Sequence, residues 1–208
     1  MTMSSSFNSR VEFQVKPYVR SLSLFGAVFV LFTILAGTAC AADLSQAVIL
    51  VASQRLAGSP FAQTVVLAAP LPQGGHFGFV VNRPSGVKLE SLFPEQAAAH
   101  NVVDQVYVGG PMLPRSIFAV TRTAPDNGGN VLSPMPGLVV IINGSAVDRI
   151  IETAPNDARY FMGLMIWGPD ELDEEIDRGA WEVHPADVDT ALPSSSSGLW
   201  KSLSGITI

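Results

Sequence analysis

Gly74-Gly75-His76-Phe77-Gly78-Phe79-Val80-Val81-Asn82-Arg83-Pro84 decides how the chain after residue 43 is read. Gly74-Gly75 supplies a turn that tolerates positive φ, and residues 76–82 carry the aromatic and β-branched side chains of a strand. Gly78 lies inside that strand with nothing to pack, which marks a bulge or the close passage of another backbone. Pro84 has no ladder donor and holds Arg83 extended, so the strand is expected to end there. Upstream, Gln63-Thr64-Val65-Val66-Leu67-Ala68 reads as its antiparallel partner across a turn at residues 69–75.

Outward from this hairpin, Ala47-Val48-Ile49-Leu50-Val51-Ala52 is a short apolar run expected as a buried strand, and Gly58-Ser59-Pro60-Phe61 is a turn. After Pro84, residues 87–99 carry Leu89, Leu92 and Phe93 at helical spacing, broken at Pro94. Residues 102–108 and 116–122 read as strands, and 124–130 as an exposed hairpin tip dense in turn formers. Residues 137–142 are the most apolar strand candidate. Ser145 then caps a helix to Thr153 with Val147, Ile150 and Ile151 on one face.

Residues 159–167 return as a buried strand. Pro169 opens an acidic helix to Arg178, with Leu172 and Ile176 as its buried stripe and Gly179 as a left-handed cap. Trp181 is expected to pack back onto the sheet. Beyond Pro193, a serine link at 194–197 precedes Leu199-Trp200, which anchors the tail. Strands with short intervening helices, and no regular βαβ alternation, make an α+β domain.

The first 42 residues read differently. Residues 22–39 are uncharged, follow Arg10, Lys16 and Arg20, and run into Ala39-Cys40-Ala41-Ala42. A basic start, an apolar run and an A-x-A-like end describe a secretory signal peptide cut after Ala41 or Ala42, which places the mature domain in the periplasm. A retained membrane anchor over residues 22–39 is the competing reading, and a lipoprotein acylated at Cys40 the third; Gly37 stands where a lipoprotein carries a large aliphatic. Cys40 is the chain's one cysteine, so cleavage beyond it removes disulfides, thiolate metal sites and cysteine nucleophiles together. Loss of three basic residues and Glu12 with the leader moves the net charge from −6 to −8. A domain this acidic lacks the positive footprint for phosphate-backbone binding, so nucleic acid is not an expected partner.

Several motifs carry chemistry in other settings. Ser85-Gly86-Val87-Lys88 matches S-x-x-K without its companion signatures, and a turn entering a helix is the plainer reading. His76, His100 and His184 show no short ligand spacing, so no metal site is expected. The carboxylates from Asp170 to Asp177 lack the alternating calcium-loop pattern and read as a solvated helix face. His76 stands at the hairpin mouth. Asn82-Arg83 and Gly109-Gly110-Pro111 are the better pocket candidates: Arg83 can pair with an anionic group and backbone N–H groups can flank it. The alternative is that the glycines and proline shape turns while Arg83 bonds strand-end carbonyls.

Taken together, Gly58-Ser59-Pro60-Phe61 with Thr64-Val65-Val66, the opening stretch through Asn82-Arg83-Pro84, Tyr107-Val108-Gly109-Gly110-Pro111, and Trp167-Gly168-Pro169 with Leu172 and Glu175-Ile176 resemble the YqgE/AlgH family, UPF0301 or DUF179. Trp181 and Leu199-Trp200 extend the resemblance over nearly all of residues 43–208, read as a single domain. It implies a coiled, bifurcated, mostly antiparallel sheet with a small barrel-like core flanked by short helices, no accepted enzymatic activity and no cofactor. One member is named for a regulatory effect on exopolysaccharide production. The chain departs from the pattern in its leader, in Leu164 where an aromatic is usual, and near Ala191-Leu192.

The binding candidates are therefore His76, Asn82, Arg83, Gly109, Gly110, Pro111 and Trp167, with no catalytic residue assigned. The leading functional expectation is a non-catalytic binding or regulatory module of the bacterial envelope whose partner is an envelope protein or a small ligand. Membrane contact is expected only through the leader or an acylated Cys40. The alternatives are a cytoplasmic regulator of exopolysaccharide production, as the family label implies, and a small-molecule enzyme using Arg83, Asn82 and His76.

Overall fold

Two strands that are apolar at every position need cover on both faces, and the fold provides it. In a computed structural model, which describes residues 43–124 and 131–205, β1 (Val48–Ala52) and β2 (Val65–Pro70) lie side by side in the sheet. Ile49, Val51, Val65 and Leu67 face one core with Phe77 and Phe79, while Val48, Leu50, Ala52, Val66 and Ala68 face a second with Trp167, Leu172 and Trp181. The expected leader and the tip at 125–130 lie outside the described residues. No helix among the described residues is long and apolar enough to cross a membrane.

β3 (His76–Val80) pairs antiparallel with β2, with His76 opposite Pro70 and Val80 opposite Val66, as the hairpin reading requires. Gly74 and Gly75 turn it at φ +95° and +76°; a Cβ on Gly75 would stand 2.3 Å from the Trp167 carbonyl oxygen. Gly78 is a close approach: a Cβ there would meet the Leu67 carbonyl oxygen at 2.7 Å and the Trp167 ring at 3.1 Å. The chain does not leave the sheet at Pro84. It starts β4 (Pro84–Lys88), which pairs only with β5 (Gln105–Val108), so the proline's missing N–H costs no ladder bond on a strand with one neighbour. Ser85 and Lys88 consequently point to opposite faces, Ser85 donating to the Val106 carbonyl at 2.5 Å, and the S-x-x-K spacing brings nothing together. The helical pattern at 87–99 shrinks to α1 (Leu89–Leu92) and a 3-10 turn (Ala97–Asn101) on either side of Pro94.

β6 (Met112–Thr121) begins earlier than the pattern indicated, and β7 (Val131–Met135), a stretch to which the sequence pattern assigned no element, pairs with β8 (Leu138–Ile141) across Pro136-Gly137. β7 is the terminal strand of the sheet, where a proline is tolerated. α2 (Gly144–Thr153) is capped by Asn143, whose Oδ1 accepts from the Ala146 N–H, and not by Ser145. Its Val147, Ile150 and Ile151 form a third core with Leu89, Val106 and Tyr160. β9 (Ala158–Trp167) is the spine; α3 (Glu171–Asp177), β10 (Trp181–Pro185), α4 (Val188–Ala191) and α5 (Leu199–Leu203) complete the chain. Pro169 is not the first residue of α3: Asp170 takes φ +63° as the cap, so the helix starts two residues later. Gly179 closes it as expected, with the Gly179 N–H on the Ile176 carbonyl and the Ala180 N–H on that of Glu175. Trp200 anchors the tail through its indole N–H to the Ala52 carbonyl at 2.7 Å.

The ten-stranded sheet runs β10-β1-β2-β3-β9-β6-β8-β7, with β4 and β5 branching off β9. β9 pairs antiparallel with β3 at one end and β6 along its length, and parallel with β5 at Phe161 and Met162. The sheet is therefore α+β, curled into an antiparallel half-barrel, and forked at β9. At the fork, Gly109 receives the Val80 N–H on its carbonyl and donates its own N–H to Met162. A Cβ on Gly109 would stand 2.2 Å from the Gly163 carbonyl oxygen, one on Gly110 2.3 Å from the Leu164 carbonyl carbon, and Gly163 itself has φ +73°. Around this crossing Phe79 stacks against Phe161 at 5.1 Å and Phe118 at 5.7 Å.

Gly163→Ala therefore adds a backbone clash to a positive-φ penalty and is expected to cost about 3 kcal/mol or more in urea unfolding. Gly144→Ala, with open space around its Cβ in the first turn of α2, is expected to be neutral or stabilising by up to about 1 kcal/mol. Equal effects at the two sites would refute the fork as the crowded point.

Candidate functional site

The end of β9, the start of β10, α3, the loop before β2 and the segment leaving the fork meet around a cleft of about 170 Å³. Trp167, Trp181 and Met165 are its buried lining, Phe61 is half-buried, and Pro111, Met112 and Glu171 form the exposed rim. The Phe61 ring stands edge-on to Trp181 at 6.4 Å between centroids and 60° between planes.

Glu175 organises the cleft. Its Oε2 accepts the Trp181 indole N–H at 2.7 Å and the Trp167 indole N–H at 3.1 Å, tying β9 to β10 through one carboxylate on α3. Leu172, fully buried, and Ile176 seat the helix, and Glu175 shares their face because it lies three residues after Leu172. Glu171, one turn earlier, accepts the Gly168 N–H at 2.8 Å and fixes the turn between Trp167 and α3. Treating the whole acidic run as solvated missed Glu175. The signal that separates it from Asp173, Glu174 and Asp177 is its position on the Leu172 stripe.

Of the sequence candidates, Trp167 and Pro111 line the cleft directly. Asn82 and Arg83 stand behind Phe61: the Arg83 Nη1 donates to the Pro60 carbonyl at 2.6 Å and Nη2 to that of Ala62 at 3.3 Å, bracketing the aromatic residue between them. Asn82 extends the latch, accepting the Val65 N–H at 2.8 Å and donating to the Gln63 carbonyl at 2.9 Å. Gly109 and Gly110 pass through the fork and deliver Pro111 to the rim. His76 lies opposite Trp167 in the ladder, buried, with Nε2 3.0 Å from the Leu44 carbonyl oxygen. His76 opens β3 whereas Arg83 lies past the turn that follows it, and neither lines the cleft, so the structure does not gather them into one constellation.

A second cavity of about 190 Å³ opens beside Asp104, Arg122, Asn156, Asp157 and Arg159. Arg159 is held there on three sides: Nε meets Asp104 at 3.1 Å, Nη2 donates to the Pro193 carbonyl, and the guanidinium stacks 4.5 Å over the Tyr107 ring, while Nη1 is buried without a hydrogen-bond partner. Arg122 pairs with Asp189 at 2.8 Å. Among the described residues no group of three or more histidine, cysteine or acidic side chains converges as a metal site would require.

A curled, forked antiparallel half-barrel with a few short helices is the class of domain that this fold defines. The same fold occurs in the solution structure of the AlgH protein from Pseudomonas aeruginosa, with a TM-score of 0.65 over 79% of this chain and 91% of that one, at 22% identity. It also occurs in the crystal structure of a Corynebacterium diphtheriae protein, DIP2367, with a TM-score of 0.61 over 76% and 84% at 26% identity. The family model described as AlgH-like, DUF179, matches residues 49–205, and the chain belongs to that family. Relatives titled UPF0301 protein come from Streptomyces coelicolor, 29% identical over 74% of this chain and 81% of its own length, and Myxococcus xanthus, 28% identical over 73% and 84%.

Glu175→Leu leaves two indole N–H groups without their acceptor and is expected to lower stability by about 2–4 kcal/mol, whereas Glu175→Gln, which keeps an acceptor oxygen, is expected to stay within about 1 kcal/mol. Urea unfolding followed by near-ultraviolet circular dichroism checks both. Arg83→Ala is expected to cost about 1–2 kcal/mol by freeing the Phe61 loop; unchanged stability would detach Arg83 from that positioning role.

Proposed function

We propose that the protein is a non-catalytic binding module of the bacterial envelope and that its ligand enters the cleft between Trp167, Trp181 and Phe61. The observation that carries this reading is where the backbone is strained. The non-glycine residues at positive φ among the described residues are Gln63 (φ 58°), Leu113 (φ 51°) and Asp170 (φ 63°), and each adjoins a segment that lines the cleft. Such conformations cost about 1–3 kcal/mol each and gather where a site must be held in shape. Three separate chain segments carrying that cost around one concavity support a binding role there.

The lining favours binding over turnover. Its side chains are aromatic, thioether and aliphatic groups with two carboxylates, and the Glu175 oxygen facing the indoles is already committed to them. The arginine on which an enzymatic reading relies is turned to two loop carbonyls and does not line the cleft. Placement in the envelope rests on the leader, with its basic start, apolar run at 22–39 and small-residue end.

Intact mass of the native protein from separated cell fractions tests the location, with a periplasmic species beginning at Ala42 or Asp43 expected. A full-length cytoplasmic species would overturn the envelope assignment and favour an intracellular regulator. A fragment screen read on the indole N–H resonances tests the cleft: Trp167 and Trp181 are expected to shift together.

A further inference from the structure

We infer that the cleft takes a small quaternary ammonium group, free or carried on a lipid headgroup. This rests on the cleft being the binding site. Ten residues line it, and they include Glu171 and Glu175 but no lysine, arginine or histidine. Among the described residues, the ion pairs within 4.0 Å involve neither carboxylate. Glu175 thus presents a half-buried carboxylate that is oriented by two indole N–H groups, with no cationic side chain of the described residues within 4.0 Å.

The walls decide which cation. Ring faces and thioethers attract a cation through quadrupole and polarisability and ask for no hydrogen bond in return. A primary ammonium brings three N–H donors that each need an acceptor. Oε2 of Glu175 is already used by the two indoles and Oε2 of Glu171 by the Gly168 N–H, which leaves one oxygen of each carboxylate to attract a cation, while the rest of the lining consists of aromatic, thioether and aliphatic side chains that accept no N–H. A methyl-covered ammonium makes no such demand and places its apolar surface against Phe61, Met112 and Met165. A volume of about 170 Å³ falls below the range of pockets that enclose drug-sized ligands and suits a single headgroup. The net acidity of the domain draws a cation toward it and repels anionic competitors.

The test titrates the full native protein with choline chloride and, separately, with 3,3-dimethyl-1-butanol, its uncharged isostere, by calorimetry and by the indole N–H resonances. Choline is expected to bind about tenfold or more tighter than the alcohol and to shift Trp167 and Trp181. Glu175→Gln is expected to remove most of that preference. Equal binding of the two probes at the indoles would overturn the cation inference but leave the cleft as a binding site. Indoles unmoved by either probe would overturn both. If Glu175→Gln fails to fold, Glu171→Gln at the rim, a residue bonded to neither indole, is expected to lower choline affinity about threefold; no change there would count against the inference. Sedimentation with phosphatidylcholine vesicles, set against phosphatidylglycerol vesicles, assigns the source: capture released by free choline indicates a headgroup, and binding of choline without capture indicates a free cation.

Discussion

Three glycines that leave no room for a Cβ hold the fold together. Where the segment at Gly109-Gly110 crosses β9 at Gly163, backbone meets backbone, and the would-be Cβ positions fall 2.2 to 2.4 Å from main-chain atoms. Close packing of that kind lets β9 serve β3, β5 and β6 at once, which a spacing set by side chains would prevent. The fork then splits the interior into cores on its different faces, and the aromatic cluster around Phe79 fills the space that the glycines vacate.

The cleft is the downstream consequence. The chain leaving the fork must reverse at Pro111-Met112, and it does so through a leucine at positive φ and a register shift between Met112 and Ile117. On the far side, α3 is held by Leu172 beneath it and a glycine-closed end, so Glu175 is presented to two tryptophans from different strands. Between these walls the Phe61 loop is fixed by Asn82 and Arg83. The hydrogen-bonded Glu175 carboxylate, in no ion pair within 4.0 Å among the described residues, is a charged group set among aromatic, thioether and aliphatic side chains, which is why a cation is the ligand we propose.

Much of this was legible in local chemistry. Apolar periodicity and turn residues located β1, β2, β3, β9 and α2, and of the two readings of Gly78, bulge or close approach, the second holds. The errors fall where a local rule has two outcomes. Pro84 and Pro134 look like strand breakers, yet both sit in strands with a free side, where the missing N–H is not needed. Asn143 and Ser145 are both good caps, and the backbone chose the earlier one.

By itself, the sequence determined the strand periodicity, the α+β class and the family resemblance, because apolar spacing and glycine placement act over a few residues. Only the tertiary structure decided that Arg83 braces Phe61, that His76 is a buried ladder residue, and that Glu175 bridges Trp167 and Trp181. Those roles depend on partners 6 to 32 residues away or on a neighbouring strand, and no local pattern encodes which distant group a donor will meet.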